Sequence, residues 1–325
     1  MIKKYRLNSC GGPEKLELVQ DQTTIPNSDE VLVAHNFIGI NHQDVLRRKG
    51  IIPTKTPYVL GYEAVGKIEK IGNGVEWKDL NEGDKVIYAT VGSGAYSTHR
   101  VINPYFLVKL PSDIDQQTAI ACFSKTLTAH YLLKRVAKIK EGQPILIHGA
   151  AGSVGHILCQ VAKFYNLKVF ATVNSKEKYD YLTSLKSCEM VIDVTQQDFV
   201  SEIMKKTKNI GVDIVYDLVG GDYLTKSFKC MNFLAVAVSL GDIAGRPNNL
   251  DLTLLDDRCL FVTRPDLNIY QISKMELTLA ANDAFELMRR KAIKPTINIY
   301  NFDEISKAHS DIESGTKIGS YIAKI

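Results

Sequence analysis

The chain has 325 residues, 45% hydrophobic and 23% charged, a composition typical of a soluble globular protein and a length that predicts two domains. Its formal net charge is only +4, from 40 basic and 36 acidic residues, so neither a nucleic acid nor a membrane surface is indicated as a partner. The six cysteines lie far apart, and the sequence shows neither a signal-peptide pattern nor an apolar run of the ~18 residues that span a membrane. We therefore expect reduced thiols and a cytoplasmic location.

Residues 1 to about 120 contain short alternating or β-branched runs separated by glycine, proline and asparagine. Examples are residues 31–34 (VLVA), 64–71 (AVGKIEKI) and 85–88 (KVIY). This pattern predicts a small, mainly β domain.

The pattern changes from Thr126 onward, where helical and strand segments alternate. A helix is predicted over 127–138 and a buried strand at 145–147, followed by strands at 168–173, 190–192, 212–217, 236–240 and 260–263. Such alternation predicts an α/β fold with a doubly wound parallel sheet. The tail, from about residue 266, offers a helix over 273–291 and a strand near Tyr321, and we expect it to return to the first domain.

A small-residue turn joins the strand at 145–147 to a helix that ends near Asn166. Residues 150–155 (AAGSVG) fit G-x-G-x-x-G with alanine first, which requires a negative φ at Ala150. Gly152 lets the backbone approach a pyrophosphate at the start of the helix, and Gly155 permits close packing of helix and strand. The alternative is a packing turn of any α/β protein, but the flanking strand and helix favour a dinucleotide site.

The end of the next strand bears on the choice of cofactor. NAD-binding folds place an acidic residue there, about twenty positions after the glycines, to bind the ribose 2′-hydroxyl. Here Asn174 and Ser175 stand at that point, and Lys176 and Lys178 follow. The missing carboxylate and the two ammonium groups favour NADPH over NADH. The alternative is an exposed, charged first turn of a helix.

Five motifs in order resemble the medium-chain dehydrogenase/reductase superfamily, in particular its zinc-independent quinone oxidoreductase branch. They are residues 39–44 (GINHQD), 60–66 (LGYEAVG), 126–133 (TLTAHYLL), 148–155 (HGAAGSVG) and 262–265 (VTRP). The resemblance implies a discontinuous, GroES-like catalytic domain over 1–121 and 266–325 around a Rossmann domain over 122–265. It also implies an active site between the two domains and a homodimer joined through the Rossmann sheets.

Zinc is not expected. The resemblance places Asn41 and Tyr62 where zinc-dependent relatives carry a cysteine and a histidine, and residues 83–111 lack the four cysteines of their second zinc lobe. A catalytic zinc needs three protein ligands, and the histidines show no ligand spacing. Zinc lowers the pKa of a bound oxygen, and without it the oxidation of an alcohol is disfavoured. A quinone or conjugated enone, which delocalises the incoming charge, remains a suitable acceptor.

We therefore predict an oxidoreductase that transfers a hydride from NADPH to a quinone. Two alternatives stay open. One is an NADPH-dependent reductase of α,β-unsaturated carbonyls, either alkenals or enoyl thioesters, and the other is a low-turnover dinucleotide-binding regulatory protein.

The resemblance assigns roles to individual residues. Asn41, Asp44 and Tyr62 are the candidate catalytic residues: Asn41 near the nicotinamide ribose and the acceptor, Asp44 bracing its loop, and Tyr62 as a hydrogen-bond donor. The candidate cofactor-binding residues are Asn41, Lys125, Thr128, Ala151, Gly152, Ser153, Val154, Val173, Asn174, Lys178, Leu240, Gly241, Asp242, Thr263 and Arg264. Structural alternatives remain, with Asp44 as a helix cap, Tyr62 as a core residue, Thr128 as a helix-surface hydroxyl and Arg264 as a surface ion pair.

Four positions depart from the family pattern. Members often carry tyrosines where this chain has Leu46, Ile52 and Val194, and an arginine where it has Gly315. The first two line the substrate side, so we expect the acceptor preference to differ from that for simple benzoquinones. The last two remove contacts to the 2′-phosphate, for which Lys317 is a candidate replacement.

Overall fold

The computed structural model describes residues 1–77, 79–89, 92–246, 250–266, 269 and 273–325. The chain forms two compact units. Unit 1 comprises Met1–Leu127, Asn268–Lys291 and Pro295–Ile325, and unit 2 comprises Thr128–Leu267 and Ala292–Lys294. The domain limits drawn from the sequence, at 121 and 266, stay a prediction. No helix among the described residues combines the length and apolarity needed to cross a bilayer.

The strands and helices are numbered along the chain. The strands are β1 (Ile2–Leu7), β2 (Leu16–Asp21), β3 (Val31–Ile40), β4 (Glu63–Ile71), β5 (Lys85–Ala89), β6 (His99–Ile102), β7 (Val108–Lys109), β8 (Pro144–His148), β9 (Lys168–Val173), β10 (Met190–Asp193), β11 (Val212–Asp217), β12 (Met231–Ser239), β13 (Phe261–Thr263), β14 (Ile297–Asn301) and β15 (Ser320–Lys324). The α-helices are α1 (His42–Arg48), α2 (Gln116–His130), α3 (Gly155–Phe164), α4 (Lys176–Leu185), α5 (Phe199–Lys206), α6 (Tyr223–Ser227), α7 (Lys274–Arg289) and α8 (Ile305–Ser314).

Unit 2 is built on a parallel sheet. Within the described residues its six strands follow the order β10-β9-β8-β11-β12-β13, and every neighbouring pair is parallel. This is the order of a Rossmann fold, and it reverses between β8 and β11. The strands are short apolar runs because helices cover both faces of such a sheet. The predicted doubly wound sheet is confirmed.

Unit 1 is mainly β. The strands β14-β15-β3-β4-β5-β7 form a mixed sheet to which β6 adds by pairing with β3, and β1 and β2 form a separate hairpin. The last strand of the chain, β15, pairs antiparallel with β3, so the tail and the first hundred residues share one sheet. The apolar core of this unit includes Leu7, Val33, Leu60 and Tyr96, with Ile305 from α8.

Two predicted elements differ from the structure. Helix α2 begins at Gln116 rather than at 127, and a π-helical segment over Tyr131–Val136 continues it. Residues 119–123 in its first half are all buried, so they lack the one-sided apolar spacing from which a helix is predicted. Strand β12 begins at Met231 rather than at 236. The sequence does not predict its first part, because a register shift in its pairing with β11 and a positive φ at Leu234 interrupt the regular strand pattern.

Candidate functional site

The turn after β8, residues 149–155, is called here the glycine turn. Gly149 takes the left-handed φ of +65°, whereas Ala150 keeps a negative φ, as the sequence requires. The sharp bend therefore lies one residue before the alanine that stands first in the motif. This shift explains how an alanine fits where related motifs carry glycine.

Two glycines of the turn serve different purposes. A Cβ on Gly155 would lie 2.4 Å from the Gly149 carbonyl oxygen, so only glycine lets α3 start this close to the end of β8. A Cβ on Gly152 would meet only that same oxygen, at 3.2 Å. The Gly152 N–H donates to the Gly149 oxygen over 3.0 Å and is already used within the turn. No side chain caps α3, whose N-terminal dipole favours an anion.

A groove of about 230 Å³ opens beside the glycine turn. Apart from Thr128 of α2, its walls come from the loops after β8, β11 and β12, at the carboxyl edge of the sheet where the strand order reverses. Ligands of doubly wound folds bind at such switch points. Six of the predicted cofactor residues line it together: Thr128, Gly152, Ser153, Val154, Leu240 and Gly241.

The walls of this groove depend on a second close approach of backbones. A Cβ on Gly241 would lie 1.9 Å from the Leu218 carbonyl oxygen, so glycine is required there. The N–H groups of Leu240 and Gly241 both donate to the Asp217 carbonyl oxygen, over 2.8 and 3.0 Å. Ala151, by contrast, is 2% exposed and lies beneath the groove surface.

The end of β9 carries the residues predicted to surround the adenosine ribose. Val173 is buried, while the Lys178 ammonium donates to the Asn174 side-chain oxygen over 2.8 Å. Ser175 caps α4 by accepting from the Lys178 backbone N–H. Burial lowers the pKa of the Lys178 side chain. The strand end thus pairs an amide with a partly desolvated cation.

Three further predicted cofactor residues, Asp242, Thr263 and Arg264, lie at or after the ends of β12 and β13. The Arg264 guanidinium donates to both oxygens of the Asp242 carboxylate, over 2.8 and 2.7 Å, and to the Ser239 hydroxyl over 3.0 Å. Thr263 ends β13 and is half-buried. Arg264 is therefore held as an ion-pair partner, which the sequence left open as the alternative to cofactor binding.

Unit 1 contains a group of polar side chains, called here the polar cluster, of which four are buried and Tyr62 is half-buried: Asn41, Asp44, Tyr62, Glu63 and Lys125. The Asn41 amide nitrogen donates to Glu63 Oε1 over 2.6 Å, and the Lys125 ammonium donates to the same oxygen over 2.5 Å. The side chains of Lys125 and Glu63 are 1% and 0% exposed, so this is a fully buried ion pair. Glu63 Oε2 has no hydrogen-bond partner within the described residues.

Asp44 lies in the first turn of α1 and braces two stretches of backbone. Its Oδ2 accepts the Asn41 N–H over 3.0 Å, and its Oδ1 accepts the Gly61 N–H over 3.1 Å. Desolvation, reinforced by the Glu63 charge, raises the pKa of Asp44 to about 7. Asp44 does cap the helix, and it also bridges to the loop before β4.

Tyr62 keeps its proton throughout the neutral range. Burial, with the Glu63 and Asp44 charges, raises the pKa of its phenol well above the usual value, and a hydrogen bond links the hydroxyl to Ser124. A neutral phenol retains an O–H group. This is the state that a hydrogen-bond donor to an acceptor oxygen requires.

Comparison with known proteins places both units. Residues 27–112 match the family described as alcohol dehydrogenase GroES-like domain, and residues 153–265 match the family described as zinc-binding dehydrogenase. Quinone oxidoreductase 1 of Escherichia coli is 35% identical over 327 residues, covering 98% of each chain. The chain belongs to the quinone oxidoreductases of the medium-chain dehydrogenase/reductase superfamily.

Further relatives extend this finding. The crystal structure of Escherichia coli quinone oxidoreductase complexed with NADPH superposes with a TM-score of 0.95 at 34% identity, covering 99% of this chain and all of that one. A 2-haloacrylate reductase from a Burkholderia species is 29% identical and covers 99% of this chain and 98% of its own. The GroES-like and Rossmann assignments are confirmed.

For this quinone oxidoreductase, the sequence prediction missed Glu63. The residue lies in the motif at 60–66, yet nothing in its spacing marks it as the partner of both Asn41 and Lys125. One local signal was present: Gly39 interrupts the apolar end of β3, and a Cβ there would lie 2.2 Å from Glu63 Oε1. A glycine within an apolar strand indicates that another group approaches the backbone closely.

The polar cluster does not fit a zinc ion. The Asn41 amide nitrogen donates a hydrogen bond and is no ligand, while the Lys125 ammonium supplies a positive charge beside the Glu63 carboxylate. Zinc needs three neutral or anionic protein ligands that converge on one point. Within the parts of the chain that the structure describes, no three side chains of histidine, cysteine, aspartate or glutamate form such a group.

Proposed function

We propose that the chain is an NADPH-dependent quinone reductase that works without zinc. The observation that carries this proposal is the groove at the switch point of unit 2, lined by six of the predicted cofactor residues, in a chain 34% identical to a quinone oxidoreductase crystallised with NADPH. The overall reaction consumes NADPH, a quinone and one proton and yields NADP⁺ and a hydroquinone.

The cofactor contacts are assigned as follows. Ser153 and Val154, at the start of α3, offer backbone N–H groups and the helix dipole to the pyrophosphate. Lys178 and Asn174 surround the adenosine ribose, and the lysine forms the charge-assisted contact to its 2′-phosphate. When bound, NADPH supplies the hydride, and the residues orient it.

The polar cluster serves the acceptor. Hydride transfer places negative charge on a carbonyl oxygen of the acceptor, and hydrogen-bond donors in a dry site stabilise that charge. Tyr62 offers a neutral O–H, and Lys125 a buried ammonium whose charge Glu63 balances. This electrostatic help is enough for a quinone, whose charge is delocalised, but not for an alkoxide.

A reductase of carbon–carbon double bonds is the second candidate. The Burkholderia 2-haloacrylate reductase, 29% identical over nearly the full length, favours it. A conjugated enone delocalises the incoming charge as a quinone does, so the polar cluster suits both acceptors. The two functions are therefore distinguished by which acceptor, a quinone or a conjugated double bond, is turned over.

We also propose a homodimer joined through the sheets of unit 2, as the sequence resemblance implies. Strand β13 ends the sheet order and exposes Phe261 (57% exposed), and the neighbouring β12 exposes Phe233 and Leu234. Large apolar side chains grouped at a sheet edge favour a protein partner over water. The cytoplasmic location stays a prediction.

A panel of acceptors tests the function. The rate of NADPH oxidation is measured with quinones, alkenals and enoyl thioesters, and each is repeated with NADH. We expect kcat/KM to be highest with NADPH and a quinone. Turnover of enoyl thioesters or alkenals alone would assign the second function, and no turnover of any acceptor would favour a regulatory dinucleotide-binding protein.

A further inference from the structure

Arg48 is an arginine at the end of a surface helix whose side chain is nevertheless fully buried. Its Nη1 donates to the Gly11 carbonyl oxygen over 2.6 Å, and its Nη2 lies 2.8 Å from the Glu313 carboxylate. Its Nε donates to His309 Nδ1 over 3.2 Å. Nothing in the assigned function uses this guanidinium, and of its three partners only His309 leads on toward the polar cluster.

Arg48 fixes the tautomer of His309. An arginine only donates hydrogen bonds, so His309 Nδ1 must accept and carry no proton. Burial and the Arg48 charge lower the pKa of His309 to about 3, so the ring is neutral at working pH. A neutral imidazole without a proton on Nδ1 carries it on Nε2.

The fixed tautomer sets the direction of the next hydrogen bond. His309 Nε2 lies 2.9 Å from the Tyr96 hydroxyl oxygen and donates to it. Tyr96 cannot return its own proton to that nitrogen, and it donates its O–H to Asp44 instead. The sequence of donors therefore runs in one direction, from Arg48 through His309 and Tyr96 to Asp44, and all four side chains are buried.

Asp44 is where this chain of hydrogen bonds meets the polar cluster. Its two oxygens accept the Asn41 and Gly61 backbone N–H groups in addition to the Tyr96 hydroxyl. These two backbone positions carry or adjoin the side chains of Asn41 and Tyr62. A change in the protonation or orientation of Asp44 therefore acts on the backbone that holds Asn41 and Tyr62, and Tyr62 is one of the groups that serve the acceptor.

We propose that Tyr96 and His309 are positioning residues of the reductase reaction, which favour the carboxylate form of Asp44 and orient it so that it fixes Asn41 and the backbone next to Tyr62. This inference rests on the proposed function, because it concerns the same acceptor site. Tyr96 and His309 act through Asp44 and need no contact with the acceptor.

The proposal makes the reaction sensitive to pH. The carboxylate form of Asp44 accepts all three donors, whereas a protonated Asp44 carries an O–H in place of one lone pair, which weakens its hydrogen bonds to the three donors and needs an acceptor of its own. The ionisable groups that face Asp44 are Glu63, Tyr62 and Tyr96, and burial raises the pKa of both phenols, so they stay protonated. We expect activity to fall as the pH drops through the Asp44 pKa of about 7.

The test is the pH profile of kcat/KM for quinone reduction by Tyr96→Phe. Loss of the phenol removes a donor that favours the carboxylate, so the Asp44 pKa rises and the acid limb moves up by about one pH unit. The matched control is Tyr300→Phe, which removes a phenol that donates to Asp311 over 2.6 Å, also in unit 1. We expect its acid limb to stay in place. A Tyr96→Phe profile that coincides with the wild type, or a shift matched by Tyr300→Phe, would overturn the proposal.

A second pair of variants tests the histidine. The variant His309→Gln keeps an N–H donor near the place of Nε2, so it is expected to retain most of the wild-type pH profile of kcat/KM. His309→Leu removes the donor and is expected to move the acid limb as Tyr96→Phe does. Equal profiles for the two His309 variants would contradict the role assigned to the tautomer.

Thermal unfolding gives a readout that needs no turnover. Because the folded pKa of Asp44 lies above its unfolded value of about 3.9, stability falls as the pH rises from that value to the folded pKa. In Tyr96→Phe we expect the fall in Tm to continue to a pH about one unit higher than in the wild type. In Tyr300→Phe we expect it to end at the same pH as in the wild type. If this shift is present while no acceptor is turned over, the proposed function fails and the Asp44 linkage stands. If turnover is present and the shift is absent from both readouts, the linkage fails alone.

Discussion

The glycine turn of unit 2 and the polar cluster of unit 1 are built in opposite ways. The glycine turn, residues 149–155, is made of backbone, and its shape depends on the absence of side chains at Gly149 and Gly155. The polar cluster is made of side chains that come from the start of α1, the start of β4 and α2 and that pair with one another through hydrogen bonds and one buried ion pair. A site made of backbone binds through N–H groups, which do not depend on the side chains. A site made of side chains depends on the identity of each residue in it.

This difference predicts how each region fails. In the glycine turn, added side-chain volume destabilises the fold, because the neighbouring atoms are backbone and cannot move aside. In the polar cluster, loss of one partner destabilises the fold, because the charge of the other partner stays buried. The comparison would be wrong if added volume were tolerated in the glycine turn, or if loss of a partner were tolerated in the polar cluster.

Lys125→Met is expected to have the largest effect on stability. It leaves the Glu63 carboxylate buried without its cation, and the free energy of unfolding should fall by about 3–5 kcal/mol in a denaturant titration. The double variant Glu63→Gln/Lys125→Met removes both charges and should recover part of the loss. The control is Lys206→Met, whose pair with Glu189 spans 3.2 Å with side chains 50% and 47% exposed, and it should change stability by less than about 1 kcal/mol. Equal losses for Lys125→Met and Lys206→Met would show that the buried pair has no special weight.

Gly155→Ala tests the glycine turn by adding one methyl group. The new Cβ would lie 2.4 Å from a backbone oxygen, so we expect a loss of about 1–3 kcal/mol in unfolding free energy. Gly152→Ala, three residues earlier, is the matched substitution, since its Cβ meets that oxygen at 3.2 Å, and a small change in stability is expected. Gly152→Ala should instead raise the KM for NADPH, because the methyl group faces the groove. The reverse order of stability would refute the assignment of the two glycines.

Lys178→Ala is expected to have the smallest effect, confined to one cofactor. Removal of a charge-assisted contact to the 2′-phosphate should raise the KM for NADPH by about tenfold and leave that for NADH nearly unchanged. Lys176, the other ammonium group that the sequence offers, is exposed and already pairs with Asp180, so Lys176→Ala serves as the control and should change neither constant. Equal increases for NADPH and NADH would mean that Lys178 does not distinguish the phosphate.

The sequence predicts the glycine turn because its information is local. A strand, a run of small residues and a helix lie within about thirty positions, and their spacing alone places the turn at the sheet edge. For the same reason, the predicted limits of the parallel strands β9 and β11 agree with the observed ones. The start of α2 was missed because a helix buried on all sides has no amphipathic period.

The support of the polar cluster is not local, and the sequence does not reveal it. Tyr96 and His309 are 213 positions apart, and Arg48 and His309 are 261 positions apart. Each of these residues has a plausible local explanation on its own, so only the return of the tail to the first sheet brings them together. Asn41, Asp44 and Tyr62 were found through family resemblance, whereas Glu63, which pairs with two predicted residues, was not.

The most direct test of the account is the rate of NADPH-dependent quinone reduction after exhaustive treatment with a chelator, with the zinc content of the same sample measured. We predict an unchanged kcat at a zinc content far below one ion per chain, because the Lys125 ammonium and the Tyr62 hydroxyl provide the electrostatic help. Loss of activity that is restored by stoichiometric zinc would contradict this account.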